Sequence, residues 1–302
     1  MEDINLDNKS ILRNLEAAIP RELIYKDEPM KDHTSFKIGG PADFLVTPRD
    51  ARDVSRIIKN LKNVPYYVIG NGSNLLVSDE GYRGVIIKIG SEMSKIVIEG
   101  DIITAQSGVP LGRLAAKAQE AGLTGLEFAS GIPGTLGGAV LMNAGAYDGE
   151  MKQVVVSTEY IDENGNINEI INHEFGYRCS FFTDTDYIIV KSKLQLQYGD
   201  KSEIRAKMTE LNKRRREKQP LEYPSAGSTF KRPEGFFVGK LMEDAGLKGY
   251  TVGGAQVSEK HGGFVINKGG ATCSDVLRLI DDVSSEIYGR FGVELEPEIK
   301  II

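Results

Sequence analysis

The glycine-rich stretch at residues 131–150, GIPGTLGGAVLMNAGAYDGE, constrains this chain more than any other part of its sequence. Its closely spaced glycines and alanines leave a wall of backbone that carries few large side chains. Because glycine lets the backbone approach a bound molecule closely, we predict that this wall lies against a flat, bulky cofactor or its pyrophosphate. Close packing of helices through small residues is the alternative interpretation. The predicted contact residues are Gly131, Ile132, Pro133, Gly134, Gly137, Gly138, Ala144 and Gly145.

A second glycine-rich segment, VIGNGSNLLV at residues 68–77, lies between two apolar runs that we predict to be strands. Successive N–H groups in such a turn can bind an anion, which suits a phosphate, although a plain hairpin turn is the alternative. The segment is not a dinucleotide-binding fingerprint, because Leu75 occupies the third glycine position and no clear helix follows. The predicted contact residues are Gly70, Asn71, Gly72, Ser73 and Asn74.

Composition limits the classes of protein that this chain can belong to. Its 302 residues allow two or three domains. The net charge of -6 argues against a nucleic-acid partner, although the run KRRREK at 213–218 leaves binding through a basic patch as an alternative. The two cysteines and three histidines form no disulfide framework and no metal-ligand pattern, so we expect no metal site. The acidic N-terminus and the lack of a long apolar run predict a cytoplasmic protein without a membrane segment.

The order of helical and strand-like segments predicts an α+β fold. Because the segments do not alternate strictly as βαβα, a doubly wound sheet is disfavoured. Helical spacing of apolar residues predicts helices over 9–18, after Asp50, over 110–121, after residue 200, and near the C-terminus behind a cap at Ser274. We predict domains at residues 1–82, 83–199 and 200–302, and a change of composition near Gly199 marks the last limit.

Three short segments hold groups that could take part in a reaction. They are GYRCS at 176–180, SAGSTFK at 225–231 and LEPEI at 295–299. Taken singly, each has a simple structural explanation: a surface arginine, a turn, and a solvated glutamate. The chain lacks the GxxxxGK[ST] phosphate loop and the GxSxG nucleophile motif, which disfavours ATP-driven and hydrolase chemistry.

Taken together and in order, these segments and the motif HTSFKIGGPA at 33–42 resemble the UDP-N-acetylenolpyruvoylglucosamine reductase (MurB) family. The resemblance covers nearly the whole chain. The short connection after FGYRCSFF resembles the second type of the family. The resemblance implies a fold like that of vanillyl-alcohol oxidase, in which two α+β subdomains hold non-covalent FAD and a third, substrate-binding α+β domain closes over the substrate.

The family resemblance also implies a reaction and its residues. NADPH would reduce FAD, and the reduced flavin N5 would pass hydride to the methylene carbon of UDP-N-acetylglucosamine enolpyruvate, giving UDP-N-acetylmuramate for peptidoglycan. It carries over Arg178 as the clamp on the substrate carboxylate, Ser228 as the proton donor and Glu298 as a helper that shares the enediolate charge. Weaker candidates for substrate contact are Tyr177, Lys231 and Lys240.

Two further interpretations remain beside this one. Another FAD oxidoreductase of the same fold could oxidise an alcohol with oxygen, and a non-catalytic protein could bind a flavin or nucleotide sugar. We expect a monomer whose partners are the substrate and NADPH, with neither a nucleic acid nor a membrane among them.

Overall fold

The computed structural model describes residues 7–302, which divide into two compact units. Neither unit is one continuous stretch of chain, since each is assembled from three segments. The first unit contains the described residues 7–26, 44–70 and 84–213, and the second contains 27–43, 71–83 and 214–302. The domain limits predicted after residues 82 and 199 stay a prediction.

Helices and strands are mixed along the chain without strict alternation. The α-helices of the described residues are α1 (Asn8–Ala18), α2 (Ala51–Asn60), α3 (Leu111–Ala121), α4 (Leu136–Leu141), α5 (Lys201–Lys218), α6 (Val238–Asp244) and α7 (Cys273–Phe291). The strands are β1 (Ile24–Pro29), β2 (Pro41–Val46), β3 (Tyr66–Ile69), β4 (Leu75–Leu76), β5 (Tyr82–Lys88), β6 (Ile96–Glu99), β7 (Ile102–Gln106), β8 (Leu123–Thr124), β9 (Gly145–Ala146), β10 (Gly149–Glu150), β11 (Val155–Ile161), β12 (Ile167–Ile170), β13 (Ile188–Gln195), β14 (Gln197–Tyr198), β15 (Ser225–Ser228), β16 (Thr251–Val252), β17 (Ala255–Val257), β18 (Phe264–Asn267) and β19 (Lys300–Ile301). Within residues 7–302, no helix combines the length and the apolar character that crossing a membrane requires.

The first unit has two apolar cores. In one, α1 and α2 pack beside the parallel pair β3–β5, which belongs to a sheet of order β1–β2–β5–β3. Asp50 caps α2 as predicted, since its carboxylate accepts the N–H groups of Arg52 at 2.8 Å and Asp53 at 2.9 Å. The other core lies between α3, α4 and an antiparallel sheet of order β12–β11–β13–β7–β6. This second core supports the glycine-rich stretch at 131–150.

The second unit is built on the antiparallel sheet β15–β18–β17–β16 and the long helix α7. The helix predicted near the C-terminus from the spacing of its apolar residues is confirmed as α7, and the residues with that spacing are buried: Val276, Leu279, Ile280, Val283 and Ile287. The chain's last strand, β19, pairs in parallel with β4.

The predicted cap of α7 at Ser274 is wrong. Thr272 has the extended backbone of a cap, and its hydroxyl accepts the N–H of Asp275 at 3.0 Å, while the Asp275 carboxylate accepts the N–H of Thr272. Ser274 already lies inside the helix. Its N–H and hydroxyl, together with the N–H of Cys273, donate to Asp79 at 3.0, 2.8 and 2.7 Å. A carboxylate from a distant part of the sequence therefore completes this helix start.

Candidate active site

The turn after β3 requires glycine at position 72. Gly72 has φ +57°, and a Cβ built there would clash with the carbonyl oxygen of His33. The Ser35 N–H donates to the Gly72 carbonyl at 3.1 Å and holds the turn closed. Gly70, in the first unit, has a different neighbour: a Cβ on it would clash with the Thr135 hydroxyl, which lies in the second glycine-rich stretch. The chain therefore uses both glycines for close approach of segments that are distant in sequence.

Ser73 and Asn74 lie beside the two C-terminal segments that carry Ser228 and Glu298. The Asn74 amide donates to the Glu298 carbonyl at 3.1 Å, and the Asn74 carbonyl accepts the N–H of Lys300 at 3.0 Å. A Cβ built on Gly227 would lie 4.0 Å from the carbonyl oxygen of Ser73. Asn71 is exposed at the tip of the turn. Within the second unit, the predicted cofactor turn and the predicted proton donor are thus neighbours.

Ser228 and Glu298 lie on adjacent segments. Ser228 ends β15, where it pairs with Phe264 and is exposed. The Glu298 N–H donates to the Thr229 carbonyl at 2.8 Å, and an antiparallel bridge joins Phe230 to Pro297. The backbone therefore brings together two residues that are 70 positions apart in the sequence.

Arg178 occupies a strained position in a tight turn of the first unit. The turn runs from Gly176 to Cys179, and the Gly176 N–H donates to the Cys179 carbonyl at 3.0 Å. Arg178 is its third residue and has φ +58°, a conformation that type II turns normally give to glycine or asparagine. A left-handed backbone costs an ordinary side chain about 1–2 kcal/mol. The guanidinium carbon lies 5.3 Å from the ring centre of the exposed Tyr177.

The 131–145 part of the glycine-rich stretch contains one glycine that permits close packing and another whose backbone is exposed. It contains the short helix α4, and a Cβ on Gly137 would lie 2.9 Å from the Cβ of Ser107, so this glycine permits close packing. Gly138 is exposed, and a Cβ there would find nothing nearer than the Thr135 hydroxyl at 3.9 Å. Backbone bonds fix the rest of the stretch. Ile132 donates to Ala129 at 3.1 Å, Gly134 accepts from Leu111 at 3.0 Å, and the Ala144 carbonyl accepts from Met151 at 3.1 Å.

Features of the first unit fit FAD. Ser107 is buried, and its hydroxyl has no hydrogen-bond partner among the described residues, although it lies beside Gly137. Buried polar atoms without partners are rare in folded proteins, so an orphaned hydroxyl is consistent with a ligand that supplies the partner. The backbone at Gly138 is exposed, and a Cβ added there would meet no clash. The remaining predicted contacts of this wall, Gly131, Pro133 and Gly145, lie on the same stretch.

Of the weaker substrate-contact candidates, Lys231 and Lys240 have partners inside the second unit, whereas Tyr177 lies beside Arg178 in the first. The Lys231 ammonium pairs with the Glu296 carboxylate. The Lys240 ammonium lies 2.6 Å from Asp244, whose hydrogen bond raises the pKa of Lys240 above its ordinary value. Sequence reasoning missed Thr135, Ser107 and Asn143 as structural parts of the site. None of them belongs to an apolar repeat, and only their position in or near the glycine-rich stretches could have drawn attention to them.

Comparisons with known proteins assign the chain to a family. Residues 42–170 match the FAD binding domain model, and residues 219–302 match the model of the C-terminal domain of UDP-N-acetylenolpyruvoylglucosamine reductase. The UDP-N-acetylenolpyruvoylglucosamine reductase of Caldanaerobacter subterraneus is 54% identical over 92% of this chain and 93% of its own length. That of Clostridium botulinum is 51% identical over 97% of both chains.

Solved structures agree on the fold. The crystal structure of UDP-N-acetylenolpyruvylglucosamine reductase from Thermus caldophilus matches with a TM-score of 0.80 and 36% identity, over 90% of this chain and 97% of that one. A 4-ethylphenol oxidase from Gulosibacter chungangensis matches 65% of this chain and 44% of its own, with a TM-score of 0.52 and 14% identity, which shows the fold alone. The predicted α+β fold, an FAD-binding module of the vanillyl-alcohol oxidase type followed by a further domain, is confirmed. The chain therefore belongs to the UDP-N-acetylenolpyruvoylglucosamine reductase family.

Proposed function

We propose that this chain reduces UDP-N-acetylglucosamine enolpyruvate to UDP-N-acetylmuramate with NADPH, using FAD, as a step of peptidoglycan synthesis. The relatives that match it over more than nine-tenths of its length are named for this reduction. The observation within the molecule that best supports the proposal is the pairing of the Ser228 and Glu298 segments through the Glu298–Thr229 hydrogen bond. A reaction that adds a proton to carbon needs an acid and a group to share charge, and these two residues supply both.

When bound, FAD would supply the hydride-transfer chemistry that links NADPH oxidation to reduction of the substrate double bond. The glycine-rich wall and the Gly70–Asn74 turn would hold this cofactor through backbone contacts. Ser107 would offer the cofactor a buried hydroxyl that has no partner among the described residues. The cofactor assignment agrees with the FAD binding domain match over residues 42–170.

Arg178 would hold the substrate carboxylate. A guanidinium stays charged at all relevant pH values and can donate two parallel hydrogen bonds to a carboxylate. Negative charge grows on that carboxylate as the double bond is reduced, so a fixed positive charge there lowers the barrier. The tight turn supports this role, because a strained backbone at a long side chain suggests a functional constraint.

Ser228 would give its hydroxyl proton to the carbon next to the carboxylate. A serine hydroxyl is a weak acid, but the carbon of an enediolate is a strong base, so the transfer is feasible. Glu298, on the adjacent segment, would share the charge that develops on the substrate. The net reaction adds one hydride and one proton across the carbon–carbon double bond and converts NADPH to NADP⁺.

An anaerobic visible spectrum tests the function directly. Adding NADPH should bleach the yellow protein, and adding UDP-N-acetylglucosamine enolpyruvate should restore the colour. Ser228→Ala should still bleach with NADPH but recover its colour far more slowly, whereas the same-strand control Ser225→Ala should behave like the parent protein. A Ser228→Ala protein that recovers at the parent rate would remove the proton-donor role, and consumption of oxygen with simple alcohols would favour an oxidase instead.

The proposal includes where the protein acts and in what state. We propose that it works as a monomer in the cytoplasm, where both NADPH and nucleotide sugars are available. Size-exclusion chromatography with light scattering should give a mass near the 33.1 kDa of a single chain. A larger mass at low micromolar protein concentration would contradict the monomer, and recovery in a secreted or membrane fraction would contradict the location.

A further inference from the structure

Asn143 is a buried amide in the loop that follows α4. Its residue surface is 1% exposed, and its backbone has φ +44°, a left-handed conformation that asparagine tolerates better than most residues. It lies directly before Ala144 and Gly145, which belong to the predicted cofactor wall. A buried polar side chain at such a position needs partners, and their identity indicates what it does.

The Asn143 side chain makes three hydrogen bonds, two to the segment 150–152 and one to Gly176, all within the first unit. Its Nδ2 donates to the Glu150 carboxylate at 2.7 Å and to the Gly176 carbonyl at 2.9 Å. Its Oδ1 accepts the N–H of Lys152 at 2.9 Å. The amide therefore has both donor hydrogens and its carbonyl oxygen in use, which fixes its orientation.

The bond to Gly176 bears on Arg178, because Gly176 is the first residue of the strained turn that presents the arginine. On the other side of the turn, the Ser180 hydroxyl donates to the Leu141 carbonyl at 2.6 Å. Both attachments come from the end of α4 and the residues just after it. The turn is thus held on either side of Arg178 by the same stretch of chain.

We propose that Asn143 is a positioning residue for Arg178: its amide fixes the turn so that the guanidinium meets the substrate carboxylate, a role that rests on the proposed function of Arg178. A turn with an arginine at φ +58° would relax if its attachments were removed, since the surroundings must hold such a conformation in place. Small displacements of a catalytic group of about 1 Å can slow a reaction by about 100-fold. Asn143 would then govern substrate reduction without touching the substrate.

Three variants separate this role from a merely structural one. Asn143→Asp removes both donated bonds and sets two carboxylates against each other at Glu150. Glu150→Gln disturbs the Asn143–Glu150 pair but leaves the bond to Gly176. The double variant N143D/E150Q restores the pair with reversed polarity, because the glutamine amide can donate to the new aspartate, yet still leaves the Gly176 carbonyl without its donor.

The measurement is anaerobic stopped-flow spectroscopy of the FAD-loaded proteins. One half-reaction is bleaching by NADPH, and the other is recovery of colour with UDP-N-acetylglucosamine enolpyruvate. We expect N143D/E150Q to be more stable than Asn143→Asp and to bleach with NADPH at the parent rate, while its second-order rate constant for recovery stays about 10–100-fold below that of the parent. Glu150→Gln should recover its colour at nearly the parent rate although it is less stable.

The opposite pattern would overturn the inference. If recovery rates follow thermal stability, so that the double variant is restored and Glu150→Gln is impaired, Asn143 is only a structural residue. Arg178→Ala distinguishes this failure from a failure of the proposed function. If Arg178→Ala recovers its colour at the parent rate, the clamp role itself is wrong. If Arg178→Ala is slow and N143D/E150Q is fast, only the positioning role of Asn143 is wrong.

Discussion

The backbone strain at Arg178 can be measured by comparing Arg178→Gly with Arg178→Ala. Both variants lose the guanidinium and the rest of the side chain beyond Cβ, so they differ only in the Cβ and in backbone freedom. At an ordinary helical or extended position, alanine is the more stable residue by about 0.5–1 kcal/mol, because glycine loses more conformational entropy on folding. The sign of the difference therefore reports the local conformation.

At φ +58° the sign should reverse. The left-handed conformation costs alanine about 1–2 kcal/mol and glycine almost nothing. After the entropic disadvantage of glycine is subtracted, Arg178→Gly should be more stable than Arg178→Ala by about 0.5–1 kcal/mol. For a protein of this size, a difference of that order raises the midpoint of thermal unfolding by about 2 °C.

Thermal unfolding of the two FAD-saturated variants, followed by circular dichroism, gives the stability difference, and colour recovery with the enolpyruvyl substrate gives the activity. Both variants should lose about 100–1,000-fold in the rate of substrate reduction, as expected when a group that stabilises developing charge is removed. The two variants would thus differ from each other in stability but not in activity. An Arg178→Ala protein as stable as Arg178→Gly, or more so, would refute the claim that the arginine is held in a strained backbone.

Three further predictions concern the cofactor wall, the start of α7 and a buried histidine. Gly138→Ala should fold with undiminished stability, because a Cβ there meets only the Thr135 hydroxyl at an ordinary contact distance of 3.9 Å, but it should bind FAD several-fold more weakly in a fluorescence titration. Gly72→Ala should instead lose stability, by more than about 2 kcal/mol. Asp79→Ala should lower the free energy of unfolding by about 1–2 kcal/mol in urea titrations, since three donors at the start of α7 lose their acceptor. Burial lowers the pKa of His173 below its ordinary value, so the imidazole takes up a proton more readily in the unfolded chain than in the folded one. The free energy of unfolding should therefore fall as pH drops below about 6.5, with a slope of at most about 1.4 kcal/mol per pH unit. His173→Gln should remove this slope.

The sequence predicted elements whose signals are local. The cap at Asp50, the buried face of α7 and the end of α3 at Gly122 all follow from residues within a few positions of one another. Gly122 has φ +73°, the left-handed conformation expected of a glycine that ends a helix. Hydrophobic periodicity and capping preferences act over one or two turns, so a single sequence contains enough information to locate them.

Contacts between distant segments could not be derived in this way. Nothing near Ser274 shows that Asp79, almost 200 positions earlier, accepts the first N–H groups of α7. The hydrogen bond between Glu298 and Thr229 likewise depends on tertiary pairing, and only the family resemblance suggested that these segments act together. The sequence identified these segments as candidates, but the hydrogen-bond partner of each residue depends on tertiary contacts between distant parts of the chain.

Local sequence preferences predict the backbone conformation least well around Arg178, where several residues other than glycine have a left-handed backbone. Asn143, Tyr147, Asp148 and Arg178 all have positive φ, and all lie in the loops and turns that surround the end of the glycine-rich stretch. Asparagine and aspartate tolerate this conformation, but tyrosine and arginine are not residues that such turns favour, so neighbouring contacts must impose it at Tyr147 and Arg178. The three bonds of Asn143 supply such contacts at one of these turns. Glycine at position 178 would adopt the left-handed backbone without the cost that arginine bears, so the proposed clamp role would give a physical reason for an arginine at this position.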